Sequence, residues 1–176
     1  LIIYFQNNIT IFQASESHLS FSSTINAAVS FVTGTFWQSH NPETQLNMFS
    51  KLFGLMAQNF MSGATGIAVF IAFVRGIINS ENQYIGNFYD DFLRALIYIL
   101  IPLSTITAFV LIIYGVPNNF TEHMNYTAID GTNDQLSIGP IAAQVAIKNL
   151  VANGGSFLNA ASAHPFESPS REAVLI

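Results

Sequence analysis

Two short stretches of small and polar residues carry the most distinctive chemistry in this sequence. Thr33-Gly34-Thr35 and Asn153-Gly154-Gly155-Ser156 each combine glycine with residues that accept an extended backbone. Glycine permits backbone angles that other residues resist, so successive carbonyl oxygens can turn to one side. Rings of such carbonyls replace the hydration shell of a monovalent cation. The pattern predicts cation-binding segments that need no carboxylate, and neither stretch contains Asp or Glu.

Both stretches also have ordinary interpretations. Asn-Gly-Gly-Ser is typical of a flexible loop, and it fails as a phosphate loop because no Lys-Ser/Thr follows the glycines. Trp37 is typical of an interfacial anchor. The four histidines lie in separate loops without the spacing of metal ligands, and no Ser, His and Asp residues form a recognisable triad motif.

A short apolar segment precedes each stretch. Residues 24–38 and 144–159 align when one is shifted by 118 residues, which places Asn26 on Gln144. Each segment predicts about three helical turns followed by an irregular loop. Irregular backbone survives at membrane depth only where protein buries it or where it lines a water-filled path. A helix whose negative C-terminal end faces a cation adds a favourable field, and weak internal repeats are typical of transport proteins.

Charge scarcity decides the class of protein. Only 9% of the 176 residues are charged, whereas roughly 25% is usual in a soluble chain. The stretches 52–74 and 95–116 carry no charge, and at about 1.5 Å per residue each can cross the roughly 30 Å hydrocarbon layer. The sequence predicts an all-α membrane protein. The few Lys and Arg residues form no basic patch for nucleic acid, and the lack of cysteine excludes disulfides and cysteine zinc sites.

Local signals predict how the spans begin and pack. Asn41-Pro42-Glu43 has the residues of a helix start, which we expect to lead into the first span. The small residues Ser62, Gly63, Ala64 and Gly66 predict a face where another helix approaches closely. Asp90, Asp91 and Arg94 have the spacing of ion pairs along the start of the second helix.

Arginines predict the orientation of the spans. Arg75 and Arg94 bracket the connection between them, while residues 95–147 contain no Lys or Arg. The positive-inside rule then places the connection in the cytoplasm. The predicted segments are the end of an outer helix (1–16), pore helix and filter segment one (17–45), a transmembrane helix (46–78), a cytoplasmic loop and helix start (79–94), a second transmembrane helix (95–116), an extracytoplasmic loop (117–138), pore helix and filter segment two (139–160) and a truncated C-terminal segment (161–176).

Four motifs resemble those of a known family, the potassium-binding A subunits of bacterial Kdp potassium-transporting ATPases. The matching stretches are NAAVSFVTGTFWQS (26–39), LMAQNFMSGATGIAV (55–69), GPIAAQVAIKNL (139–150) and NGGSFLNAASAHPFESP (153–169). The resemblance implies a channel-like fold of four helix–pore loop–helix units around one filter, of which this chain holds a partial set. It also implies a multi-pass protein of the bacterial plasma membrane.

The resemblance also implies a function and partners. Subunits of this family bind extracellular potassium, the transported ion, and pass it to a P-type ATPase B subunit, in a complex with small C and F subunits. No phosphorylation or nucleotide motif appears in this chain, so we expect any ATP hydrolysis to belong to the partner. The alternative is a non-conducting remnant, or a membrane protein with a structural or assembly role. A soluble hydrolase is disfavoured by the apolar spans.

Site residues follow from the resemblance position by position. Thr33, Gly34 and Thr35 match the first filter strand, and Gln38 matches a polar position beside the ion path. Asn153, Gly154 and Gly155 match the second strand, where Val151, Ala152 and Ser156 replace a Gly, a Thr and a Gly of the family pattern. Val151 is β-branched and disfavours a positive φ. Because two of four strands cannot close a ring, we expect that this polypeptide alone does not select potassium.

Overall fold

The computed structural model describes most of the chain. Its described part contains six helices, with a two-stranded hairpin between the fourth and the fifth. The described residues are 2–8, 19–78, 85–120, 123–127, 131, 133–137, 139–158, 160 and 162–175. The helices are α1 (Phe21–Val32), α2 (Pro42–Gln45), α3 (Ser50–Ile78), α4 (Phe88–Ile113), α5 (Ile141–Leu150) and α6 (Arg171–Leu175).

Helices α3 and α4 are the two apolar spans. They contain 29 and 26 residues, and each is long and apolar enough to cross a membrane. Only 11% of the most apolar part of α3 and 22% of that of α4 is buried within the chain. A core helix of a soluble protein would be mostly buried. The predicted fold class, an all-α membrane protein, is therefore confirmed.

The sequence predicts a helix that starts at Asn41 and leads into the first span, and the structure does not have this continuous helix. The Asn41 side chain accepts a hydrogen bond from the Glu43 N–H at 3.1 Å and Pro42 occupies the first turn, so the cap itself forms. It caps only the four-residue helix α2, because Leu46 is extended, with φ −113° and ψ 134°. Helix α3 starts separately at Ser50, with a π-helical stretch to Met56.

The N-terminal prediction of a helix end is also corrected for the described residues 2–8. They form turns and a single 3₁₀ turn at Gln6–Asn8 rather than an α-helix. The buried Gln6 side chain donates to the Gln45 carbonyl at 2.8 Å and accepts from the Asn47 N–H at 3.2 Å. These bonds tie the 3₁₀ turn to the end of α2 and to the loop that follows it. Residues 9–18 lie outside the described part of the chain.

An ion pair joins the spans at one end. Arg75 near the end of α3 binds both carboxylate oxygens of Asp91 in α4, with Nη2 and Oδ1 2.9 Å apart and a closer contact from Nη1. Asp91 therefore pairs across the helix hairpin and not with Arg94 along its own helix. At the small-residue face, Gly63 and Ala64 make the expected close approach: a Cβ on Gly63 would overlap Val151 Cγ1, and Ala64 is fully buried in a cluster with Ile147 of α5. A Cβ on Gly66 meets nothing within 4 Å.

The predicted loop 117–138 contains two short strands. Strands β1 (His123–Thr127) and β2 (Asn133–Ser137) pair antiparallel, with Asn125 opposite Gln135. After the hairpin, Gly139 and Pro140 lead into α5.

Three apolar clusters hold the helices together. One packs α5 against the end of α4 and against α6, and a second joins α3, α4 and Ile147 of α5. The third lies around the two predicted filter segments. Its buried members are Phe31, Phe36, Leu46, Leu55 and Phe157.

Candidate functional site

Helix α1 ends at the first predicted filter segment. Thr33 has φ −82° and ψ 1°, and Gly34 follows in the left-handed region with φ 70°. The Gly34 N–H donates to the Phe31 carbonyl at 3.3 Å, and the Thr35 N–H donates to the Ser30 carbonyl at 2.9 Å. This pair of bonds is the Schellman arrangement, which satisfies the last carbonyls of a helix and turns the chain away from its axis.

Helix α5 ends in the same way, 118 residues later. The Ala152 N–H donates to the Asn149 carbonyl at 3.3 Å, and the Asn153 N–H donates to the Lys148 carbonyl at 3.0 Å. The left-handed residue is Ala152, with φ 50°, and Val151 keeps a negative φ of −101°. Val151 therefore does not have to adopt the positive φ that a β-branched residue disfavours. The cap places that angle on the next residue, Ala152.

The two segments that follow these caps lie side by side. A Cβ added to Gly154 would lie 3.7 Å from the Phe36 carbonyl oxygen and 3.8 Å from the Thr35 carbonyl oxygen. Gly155 has φ 76°, and a Cβ there would lie 3.2 Å from the Phe31 ring. Glycine is needed at Gly155 both for its backbone angle and for space. The fold thus brings together two segments that are more than a hundred residues apart in sequence.

Side-chain amides fix the spacing of the segments. Gln38 Nε2 donates to the Ser156 carbonyl and Gln38 Oε1 accepts from the Ser156 N–H, both at 3.3 Å. The buried Gln144 of α5 donates to the Gly155 carbonyl, also at 3.3 Å. Gln38 therefore lies against the second segment and not in a solvated loop.

The threonine hydroxyls of the first segment are already engaged. Thr33 Oγ1 donates to the Val29 carbonyl at 2.9 Å and lies 3.0 Å from Thr35 Oγ1. Thr33, Gly34, Thr35 and Gly154 are exposed, Asn153 is partly exposed and Gly155 is buried. Within the described residues, no cluster of three or more His, Cys, Asp and Glu has the geometry of a metal site.

Sequence reasoning missed a buried network beside the second segment. Lys148 Nζ lies 3.0 Å from Glu167 Oε2, and the Ser156 hydroxyl binds the other oxygen of the same carboxylate. One signal was present in the sequence: Lys148 is the only Lys or Arg between Arg94 and Arg171. It lies in a helix that is otherwise uncharged, and a charge in such a place is seldom left without a partner.

Comparison with known families gives one match over the whole chain. The family model described as potassium-transporting ATPase A subunit matches residues 1–176. Potassium-transporting ATPase potassium-binding subunits are among the similar proteins. The one from Rhodospirillum centenum is 48% identical over 82% of this chain, and the one from Erwinia tasmaniensis is 42% identical over 97% of it.

A third relative with the same description, from Francisella tularensis subsp. mediasiatica, is 44% identical over 86% of the chain. The matched regions make up 25%, 30% and 26% of the lengths of these three relatives. The chain therefore spans less than a third of the length of each of these three relatives.

Proposed function

Because this chain belongs to the family of potassium-transporting ATPase A subunits, we propose that it supplies two carbonyl-lined segments of a potassium filter. The first is Thr33-Gly34-Thr35 and the second is Asn153-Gly154-Gly155. Membership of the family supports the assignment of this chain to a potassium transport subunit, and potassium as the transported ion is part of our proposal. The ion-binding role of these particular residues is our proposal.

One observation carries the proposal. Helices α1 and α5 end in the same left-handed cap, and the segments that follow lie side by side, since a Cβ added to Gly154 would lie 3.7 Å from the Phe36 carbonyl oxygen and 3.8 Å from that of Thr35. In our proposal, backbone carbonyls of both segments face one shared space. Backbone carbonyls bind a dehydrated monovalent cation without any acidic side chain.

The helix ends support the same role electrostatically. The C-terminal turns of α1 and α5 both lead into the segments, and each helix carries a partial negative charge at that end. Their field favours a cation in the space between the segments. The nearest carboxylate identified, that of Glu167, is paired with Lys148 and adds no net charge.

Gln38 has a positioning role in this proposal. Its amide holds the Ser156 backbone by two hydrogen bonds, so it sets the distance between the two segments beside the ion path. A shorter side chain cannot make both bonds.

The wider assembly is part of the proposal. We place the chain as part of a multi-pass protein of the bacterial plasma membrane, with the connection 79–94 in the cytoplasm and residues 117–138 outside. The subunit takes extracellular potassium and passes it to a P-type ATPase B subunit, which hydrolyses ATP in a complex with the C and F subunits. The chain spans at most 30% of its relatives named above, so the remaining filter segments must come from further polypeptide.

Growth of a bacterium that lacks potassium uptake tests the proposal. The chain is produced with the B, C and F subunits, with or without the remainder of the A subunit. Growth at low potassium only when both parts are present supports a filter contribution. The variant Gly154→Val, which fills the gap between the segments, should abolish growth, whereas Gly66→Ala, which meets nothing within 4 Å, should retain it.

The alternative role, a non-conducting membrane protein, makes the opposite prediction. If this role is right, the cells do not grow at low potassium with any combination of subunits, even when the chain is present in the membrane at normal levels. Purified chain alone should give no potassium-selective flux in liposomes, since two segments leave the filter open. Selective flux from the isolated chain would contradict the argument that it is only part of a filter.

A further inference from the structure

A charged pair lies fully inside the protein next to the second filter segment. The Lys148 and Glu167 side chains are 3% and 1% exposed, and their Nζ and Oε2 atoms are 3.0 Å apart. A buried charge costs several kcal/mol unless it is paired and hydrogen-bonded. Each partner is therefore needed to keep the other in place.

The carboxylate of Glu167 also organises the backbone around it. Its Oε1 atom accepts a hydrogen bond from the Ser156 hydroxyl, and its Oε2 atom accepts one from the Ser162 N–H at 2.6 Å. The Ser156 hydroxyl oxygen accepts in turn from the Leu158 N–H at 3.0 Å. Ser162 has a left-handed backbone, with φ 76°, an angle that a non-glycine residue holds only when its surroundings enforce it. The pair thus links α5, the second segment and the following turn.

Ser156 is held from two sides. Gln38 of the first segment binds its backbone, and Glu167 binds its hydroxyl. Within the described residues, the first segment has no such charged support at the corresponding place. The residue 118 positions before Lys148 is Ser30, whose hydroxyl is buried without a hydrogen-bond partner in the described part of the chain. The two segments are therefore anchored unequally.

We propose that the buried Lys148–Glu167–Ser156 network positions the second filter segment and thereby sets how well it distinguishes potassium from other monovalent cations. These are positioning residues, because none of them is placed in contact with the ion. The inference rests on the proposed function, since it names the residues that hold that same filter. Small displacements of carbonyl oxygens change the fit to ions of different radius.

Hydrogen exchange on the chain in lipid nanodiscs tests the positioning directly. Glu167→Gln leaves Lys148 buried without its counter-charge, and Ser156→Ala removes two hydrogen bonds, the one to Glu167 and the one from the Leu158 N–H, without leaving a charge unpaired. Amide exchange in residues 153–158 should accelerate about tenfold or more in both variants, as expected when a hydrogen bond to a charged group is lost. Asp91→Asn is the matched control, because it breaks the distant Arg75–Asp91 pair and should leave this segment unchanged.

Ion discrimination is measured in cells that carry the chain with the remainder of the subunit and its ATPase partner. The readout is the ratio of apparent affinities for potassium and rubidium uptake. Ser156→Ala and Glu167→Gln should change this ratio about fivefold, a change worth roughly 1 kcal/mol between the ions. Glu167→Asp should recover part of the ratio, and Asp91→Asn should lower protein amount without altering the ratio.

The outcomes separate the two proposals. Unchanged exchange at 153–158 in both variants overturns the network's positioning role, whatever the uptake shows. Faster exchange with an unchanged potassium-to-rubidium ratio overturns its role in discrimination while the proposed function stands. Absence of potassium uptake with the unaltered chain overturns the proposed function and, with it, the role of the network in discrimination. In that case the exchange measurement still decides whether the network holds the segment in place.

Discussion

The side-chain amide of Gln38 pairs with the backbone of Ser156 across 118 residues of sequence. Its nitrogen donates to the carbonyl and its oxygen accepts from the N–H, each at 3.3 Å. A neutral amide side chain carries both a donor and an acceptor, so it can bind a backbone carbonyl and a backbone N–H at the same time. This contact joins the two candidate filter segments directly.

Gln38→Leu should loosen the junction between the segments. It removes two hydrogen bonds and leaves the Ser156 N–H and carbonyl without them, so we expect a loss of about 1–3 kcal/mol in the free energy of unfolding. Thermal unfolding in detergent and amide exchange at Ser156 measure the effect. Trp37→Leu, at a neighbouring side chain that is 55% exposed, should leave the Ser156 exchange rate unaltered. Equal exchange rates in wild type and Gln38→Leu would contradict the observed pairing.

Substitutions in the two left-handed caps should change the stability of the chain in opposite directions. Ala152→Gly should stabilise the chain by about 0.5–1 kcal/mol, because alanine pays a cost at φ 50° that glycine avoids. Gly34→Ala should destabilise it by about 1 kcal/mol for the same reason, although space is available there. The midpoint of thermal unfolding distinguishes them. A stabilising Gly34→Ala would show that the turn after α1 does not require the left-handed angle.

Two glycines of α3 provide a test of close packing. Gly63→Ala should destabilise the chain by about 1–3 kcal/mol, since its Cβ would overlap Val151 at 2.3 Å and force the second cap to move. Gly66→Ala adds a methyl group in open space and should be neutral or slightly stabilising through its higher helix propensity. Unfolding in detergent with both variants measures the difference. Similar behaviour of the two would refute the close approach of α3 to the second cap.

Burial of His40 predicts a dependence of stability on pH. The side chain is 5% exposed, both ring nitrogens lack hydrogen-bond partners within the described residues, and desolvation lowers the pKa of His40 below 6.5. The unfolded chain then binds a proton more readily than the folded one. Stability is unaffected above pH 6.5 and falls as the pH drops from 6.5 towards the lowered pKa.

Thermal unfolding between pH 8 and pH 5 checks this prediction. His40→Leu should flatten the decline below about pH 6.5. His164→Gln is the control and should preserve the decline, because it leaves the buried ring in place. If the decline persists unchanged in His40→Leu, another group is responsible for it.

The helical elements were largely predictable from sequence. Charge-free length indicates the spans α3 and α4, and the shift by 118 residues indicates helices before both Gly-containing stretches. These features depend on contacts within a few residues, which composition and spacing express directly. Prediction was poorer at Asn41, where the cap formed as expected but Leu46 interrupted the helix after one turn.

The candidate site was only partly predictable. The residues of both segments were identified, and the resemblance directed attention to Gln38, but neither gave the partner of its amide. The Lys148–Glu167 pair was missed, and Asp91 was assigned to the wrong arginine. Each of these contacts joins different elements, and many pairings of the same residues satisfy the sequence equally well.

By itself, the sequence determined that this chain lies in a membrane and that two short helices run into irregular, uncharged segments. Hydrophobicity and backbone propensity act over a few neighbouring residues, so they can be inferred directly from the order of the residues. Only the tertiary structure decided that Gly154 lies against Thr35 and Phe36 and that Glu167 meets Lys148 and Ser156. Those contacts depend on how whole helices pack against one another, as Gly63 of α3 does against Val151 at the end of α5, and that packing sets distances that no local pattern contains.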